Sequence, residues 1–201
     1  MHRILALILL AGLTACGTTE YAMPYTPTVA ITAAQPPSPV ARASSVTNNR
    51  RAGRESPNWL GTIRGGYGNP LKAVAADRPV DEVVRQAVNA ALSARGWLGG
   101  ETSPVDIAIT IDQFDANRYA RLEATSALTL VLRERGTGRV LWQGTERVYN
   151  VEGSVLALDT GVFASPDGLH ALMLRTMNQS IDRLLDRPEF AQALRDARPR
   201  S

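Results

Sequence analysis

Between residues 121 and 151 the chain alternates with a period of two, which restricts it more than any other feature. The even positions Leu122, Ala124, Ser126, Leu128, Leu130 and Leu132 are apolar or small, while Arg121, Glu123, Thr125, Thr129 and Arg133 are mostly charged or polar. Successive strand side chains point to opposite faces, so the first set turns to a core and the second to water. Glu134, Arg135, Gly136, Thr137, Gly138 and Arg139 form a hairpin loop into a second alternating run over residues 140–151. A hairpin this long requires an antiparallel sheet covered on one side only.

Two segments supply the cover. Over residues 79–94, Val80, Val83, Val84, Ala87, Val88, Ala91 and Leu92 recur at three and four, the spacing of a helix with one apolar face. Pro79 suits its first turn, Asp81 and Glu82 suit the positive end of its dipole, and Gly96 can end it. Ser165, Pro166 and Asp167 cap a second helix whose stripe runs through Leu169, Leu172, Met173, Met177, Ile181, Leu184 and Leu185. Pro188 stops it, with one short turn to follow. Residues 59–64 and 105–112 read as two further strands. The expected fold is α+β, with two helices packed on one face of a roughly four-stranded, mostly antiparallel sheet. Gly65, Gly66, Tyr67, Gly68, Asn69 and Pro70 form a turn; the Asn-Pro pair and the displaced Lys72 do not fit a phosphate-binding loop.

The single cysteine, Cys16, ends a short apolar run that starts after Met1, His2 and Arg3. Residues 4–13 match a signal-peptide core and are half as long as a membrane-spanning helix needs to be. The word Leu13-Thr14-Ala15-Cys16-Gly17 resembles the lipobox of bacterial lipoproteins. That resemblance implies diacylglycerol on the Cys16 sulfur, cleavage before it, and acylation of the new N-terminus. Gly17, where an aspartate would signal inner-membrane retention, implies the outer membrane, facing the periplasm. With one cysteine and that one modified, no disulfide staples the domain, and folding rests on burial.

Residues 16–57 read as a lipidated start and a Pro-rich tether, 58–195 as the domain, and 196–201 as a basic tail. Prolines 24, 27, 36, 37, 39 and 57 interrupt the tether. As a coil of about 40 residues it would span roughly 35 Å r.m.s. and hold the domain off the lipid surface. The 22 Lys and Arg against 19 Asp and Glu leave a formal charge of +3, Arg3 included. The arginines (Arg64, Arg85, Arg95, Arg118 and Arg121 among them) are dispersed rather than striped, which argues against nucleic-acid binding.

Catalytic candidates are sparse. His170 is the one imidazole left after signal removal, too few for a zinc site of the usual kind. Ser165, Asp167 and His170 fit a helix cap better than a triad. Asp106 and Asp112, about 20 Å apart on one strand, are too distant to flank a glycosidic bond; Asp115 joins them on a solvated face. No catalytic residue, metal site or cofactor is expected. Trp142 is assigned to the core and Trp97 to the seal between helix end and sheet. The candidate interaction surface is Arg121, Glu123 and Tyr149. A cluster of Tyr149 with Tyr119 or Phe114 over a concave patch would favour glycan or lipid binding.

The words Ala94-Arg95-Gly96-Trp97, Pro104-Val105-Asp106-Ile107 with Gln113 beyond, Tyr149-Asn150-Val151-Glu152-Gly153 and Asp186-Arg187-Pro188-Glu189-Phe190 resemble the YajG family of bacterial lipoproteins. The resemblance spans roughly residues 58–195. It implies a periplasm-facing lipoprotein domain and transfers no catalytic residues. The expectation is a non-enzymatic module, attached to the membrane through its N-terminal lipid, that meets an envelope protein. Binding of a small ligand, lipid or cell-wall glycan is the alternative.

Overall fold

The computed structural model describes residues 17–31, 40–53, 56–153 and 165–197. Cys16, the signal segment and the last four residues lie outside them. In chain order the elements are β1 (Thr18–Tyr21), β2 (Ala41–Asn48), β3 (Trp59–Arg64), β4 (Pro70–Ala76), α1 (Val80–Ala94), β5 (Val105–Arg118), β6 (Leu122–Glu134), β7 (Val140–Glu152), α2 (Pro166–Leu185) and α3 (Pro188–Asp196).

The expected four-stranded, mostly antiparallel sheet with two helices is corrected. The described residues form one seven-stranded mixed sheet, ordered β1-β4-β3-β5-β6-β7 with β2 beside β5, and three helices. The alternating core of the sheet is as the sequence implies: β5, β6 and β7 pair antiparallel over nearly their whole lengths. The added strands come from segments without that alternation. β2 runs parallel to the first half of β5, from Ala41 opposite Val105 to Asn48 opposite Ile111. β3 runs parallel to its end, with Gly61 opposite Ala116. Both lie on the β5 edge that β6 leaves open, and they follow one another like an interrupted strand. β4 pairs antiparallel to β3, and β1 adds parallel to β4.

Residues 18–21 and 41–48, expected in the tether, are thus strands of the sheet. Residues 21–28 are held as well. Tyr21 stacks on His170 with ring centroids 4.3 Å apart and donates to Asp167 at 2.5 Å; Met23 is buried. Tyr25 and Thr28 reach Asp182 on α2, Thr28 through its amide at 2.7 Å and its hydroxyl at 2.6 Å. Composition alone misleads here. The Ala, Ser and Thr of these strands carry no apolar stripe, and their small side chains are what let α1 settle on Ala41 and Ala43.

The helices share one face. α1 buries the seven residues of its expected stripe. Gly96, at φ 69°, lets the amides of Gly96 and Trp97 turn back to Ser93 and Leu92 at 2.9 and 2.8 Å, which closes the helix end. Ser165 caps α2, accepting from the Asp167 amide at 3.1 Å. α2 lies close on β6, where Ser180 meets Ser126 hydroxyl to hydroxyl at 2.8 Å. α3 is anchored by Phe190, which packs against Trp97 and edge-on against Trp142. Trp97 is fully buried; Trp142 is half-buried. No helix among the described residues is long and apolar enough to cross a membrane.

Candidate functional site

With the helices on one face, the other face of β5, β6 and β7 is open among the described residues, and its surface is built by register. Thr129 donates to Asp112 at 3.0 Å and meets Thr145 at 2.9 Å, a polar ladder across three strands. Beside it β5 carries an irregularity between Ile111 and Gln113, where one extra residue enters the pairing with β6. Past this bulge the inward parity moves from odd to even, so Ile111 and Phe114 are both buried. Asp112, Gln113 and Asp115 line the outer side.

The bulge coincides with the gap between β2 and β3. Arg50 fills that gap. Its side chain donates to the carbonyls of Trp59 at 2.8 Å and of Phe114 and Pro57 at 3.3 Å, and to Asn48 at 3.1 Å. Burial holds its guanidinium below the ordinary arginine value, against the raising effect of Asp115 and Asp81. Pinned this way, the loop with Arg51 and Ala52 makes one wall of a shallow depression of about 620 Å³ that reaches Asp112, Gln113, Asp115 and Arg147. A second depression of about 430 Å³ continues from Gln113, Asp115 and Arg147 to Asn117, Glu123, Thr125 and Tyr149. Together they form a polar groove with carboxylates on β5 and β6 and a guanidinium on β7.

The three residues of the expected interaction surface come together at one end of this groove. Arg121 donates to Glu123 at 2.7 Å. That bond, with smaller help from Tyr149, raises the guanidinium's proton affinity. Tyr149 is half exposed on the groove side. Its hoped-for aromatic companions are elsewhere: Phe114 is buried on the helix face, and Tyr119 donates to the Gly66 carbonyl at 3.0 Å. From sequence, Asp115 is assigned only to a solvated acidic face and Gln113 only to a family-resembling word, and Arg147 is not assigned to the surface. Arg147 shares parity with Tyr149, a signal that was available; the placement of Asp115 depends on the bulge.

The other candidates hold the fold. Ser165 and Asp167 cap α2 and anchor Tyr21, and the His170 ring nitrogen Nε2 lies 3.0 Å from the Ala22 carbonyl. Asp106 pairs with Arg135. Among the described residues no group of three or more His, Cys, Asp or Glu is placed to hold a metal. Cys16 lies outside them.

No protein-family model and no curated protein matches the sequence. Solved structures do. A crystal structure of a Xanthomonas campestris protein of family DUF330 superimposes with TM-score 0.60 at 17% identity, covering 90% of this chain and 100% of that one. An uncharacterised protein reaches TM-score 0.51 at 9% identity, covering 84% and 96%. These two likenesses concern the fold. More distant structures include proteins described as lipoproteins, one from Caulobacter crescentus (TM-score 0.38, 15% identity, 56% of this chain and 80% of that one). Another comes from Neisseria meningitidis (TM-score 0.29, 12% identity, 73% and 99%).

Proposed function

We propose that this chain is a lipid-anchored, non-enzymatic interaction module of the Gram-negative cell envelope, facing the periplasm from the outer membrane. In this reading the groove on the open sheet face receives a partner protein. The word around Cys16 that resembles a lipobox supports the anchor, and the words that resemble the YajG family support the periplasmic assignment. The observation that carries the partner is the groove itself. It is shallow, lined by both signs of charge, and has Arg121, Glu123 and Tyr149 at one end. A surface of this kind suits an interface rim better than a reaction site, since charged rims set register and partner choice. Confinement to a membrane layer raises the effective concentration for a partner held in the same layer.

A photo-crosslinking residue at Tyr149 tests the partner in intact cells. One discrete envelope protein should be trapped there and not from Ala90, which is exposed on α1. Arg121→Glu should weaken the adduct. A smear of random neighbours from both positions would remove the partner. Cys16→Ser should leave unprocessed, non-acylated precursor, and unchanged fatty-acid labelling would reject the anchor.

A further inference from the structure

We infer that the partner adds itself to the sheet: an extended, acidic segment of it pairs along the outer edge of β7, as an eighth strand beside the groove. This deepens the proposed reading and rests on it.

The register decides which backbone groups of β7 are turned outward. Across the hairpin the Glu134 amide donates to the Arg139 carbonyl at 2.9 Å, while the Arg135 amide donates to Pro104, on the β5 side, at 2.8 Å. The amide and carbonyl of one strand residue point the same way, so even residues of β6 bond β7 and odd ones bond β5. Leu128 is opposite Glu146, Ser126 opposite Val148 and Ala124 opposite Asn150, so the even residues of β7 complete that ladder. The odd ones point off the sheet. Two contacts agree. Thr129 and Thr145 meet hydroxyl to hydroxyl at 2.9 Å, the close approach of a pair without ladder bonds, and Arg187 donates to the Thr145 carbonyl at 2.8 Å.

Beyond Thr145, nothing among the described residues takes the outward amides and carbonyls of Arg147, Tyr149 and Val151. β7 has no proline, and its pairing is regular from Trp142 to Glu152, so neither device blunts this edge. The other edges are short or stoppered. β1 has four residues, and on β2 the Asn89 side chain takes the Ala43 amide at 2.9 Å and its carbonyl at 3.3 Å. Tyr149 and Val151 are exposed beside the free backbone, and Arg147 and Tyr149 also line the groove. An added strand would gain ladder bonds and cross-strand side-chain contacts together.

The flanks set the chemistry of that segment. Its alternate side chains would face the groove and α2. On the groove side Arg147 has no carboxylate within ion-pair distance among the described residues. On the other side Arg175, Gln179 and Arg183 stand four residues apart along α2 and meet Glu152, Asn150 and Glu146 in turn. Glu146 is shared, since Arg187 also reaches it at 2.6 Å. Guanidinium outnumbers carboxylate along both flanks, and Asp or Glu in the incoming segment answers the excess.

A photo-crosslinking residue at Gln113, two strands in from the edge, reports occupancy of the groove without touching β7. In intact cells it should trap the partner, and the trapped peptide, read by mass spectrometry, should contain Asp or Glu. Tyr149→Pro and Tyr149→Ala lose the same ring, but only proline removes the outward amide, and an edge strand tolerates it there. The adduct should be about tenfold weaker with proline than with alanine. Val151→Pro against Val151→Ala repeats the comparison at a second outward amide, and is the pair to read if Tyr149→Pro lowers the thermal midpoint. Hydrogen exchange on the acylated protein in detergent needs no substitution: the amides of Arg147, Tyr149 and Val151 should exchange far faster than those of Glu146, Val148 and Asn150. Equal protection means an edge already occupied and overturns the inference. Equal adducts within a pair whose proline variant melts like the parent overturn it too, and leave a partner in the groove standing. A trapped peptide without Asp or Glu overturns the acidic segment. No adduct from Gln113 in the otherwise unsubstituted protein removes the partner, and the added strand with it.

Discussion

Arg95 ends α1 with its side chain wholly buried. It contacts Asp182 at 2.9 Å and Asp186 at 2.7 Å, the Ala91 carbonyl at 3.1 Å and the Tyr25 hydroxyl at 3.0 Å. Burial alone would lower the guanidinium's proton affinity; the bonds from Tyr25, Asp186 and Asp182 reverse that and raise it. Asp182 shows the same contest. Burial pushes its carboxyl up, while donors from Thr28, Tyr25 and Arg95 bring it below the usual 3.8. A depressed carboxylate stabilises the fold above pH 3.8 and loses that contribution as the pH falls through its lower folded value. Tyr25, pushed up to about 12 by burial and then by Asp182, stabilises below 10.0 and loses it as the pH climbs toward 12. Asp182→Asn removes one of the two carboxylates on the buried Arg95 guanidinium and leaves Asp186, and should cost about 1.5–3 kcal/mol in urea unfolding at neutral pH. It should also flatten the acid limb of the stability profile; a variant as stable as the parent, with the same acid limb, would contradict this account.

Elements depend on close approaches that composition does not show. At Gly61, where β3 meets the end of β5, a Cβ would lie 2.3 Å from the Ala116 carbonyl oxygen. Parallel pairing at that point therefore requires glycine, and Gly61→Ala must displace backbone. A loss of about 1–3 kcal/mol is expected, read as a lower thermal midpoint. Gly136, with open space around its Cβ position, provides a neutral comparison. The alternating strands β5 and β6 were legible because about half of each is apolar, and β7 because it follows β6 through a short Gly-containing loop. β1, β2 and β4 were not: Ala-Arg-Ala-Ser-Ser-Val-Thr-Asn has the letters of a linker, and it becomes a strand because β5 offers an open edge. The candidate surface was legible in the same measure. Arg121, Glu123 and Tyr149 follow from parity on β6 and β7, whereas Asp115 and the Arg50 plug depend on a bulge and a gap that only tertiary pairing creates.

For the whole molecule, the consequence is that the N-terminal segment belongs to the domain. Residues 17–31 are joined to it by β1–β4 pairing, the Tyr21–His170 stack, buried Met23, and the Tyr25 and Thr28 contacts to Asp182. A specific protease site inserted among residues 32–39 should give a nicked protein whose two pieces co-elute in size-exclusion chromatography. Denaturant should be needed to part them. Separation in plain buffer would return residues 17–31 to the role of a free tether. If the segment stays, the lipid proposed on Cys16 would be one residue from the Gly17 carbonyl that accepts from Ala73.

Local pattern in the sequence determined the three long strands, both major helices and their caps, and the cysteine that resembles a lipidation site, because each is written within a few residues as periodicity, a cap or a motif. Tertiary structure alone decided that the sheet is mixed and seven-stranded, that Arg50 and Arg95 are interior, and that the chain after Cys16 is held to the sheet. Those outcomes depend on which open edge and which buried charge a weakly patterned segment meets, and such partners lie tens of residues away.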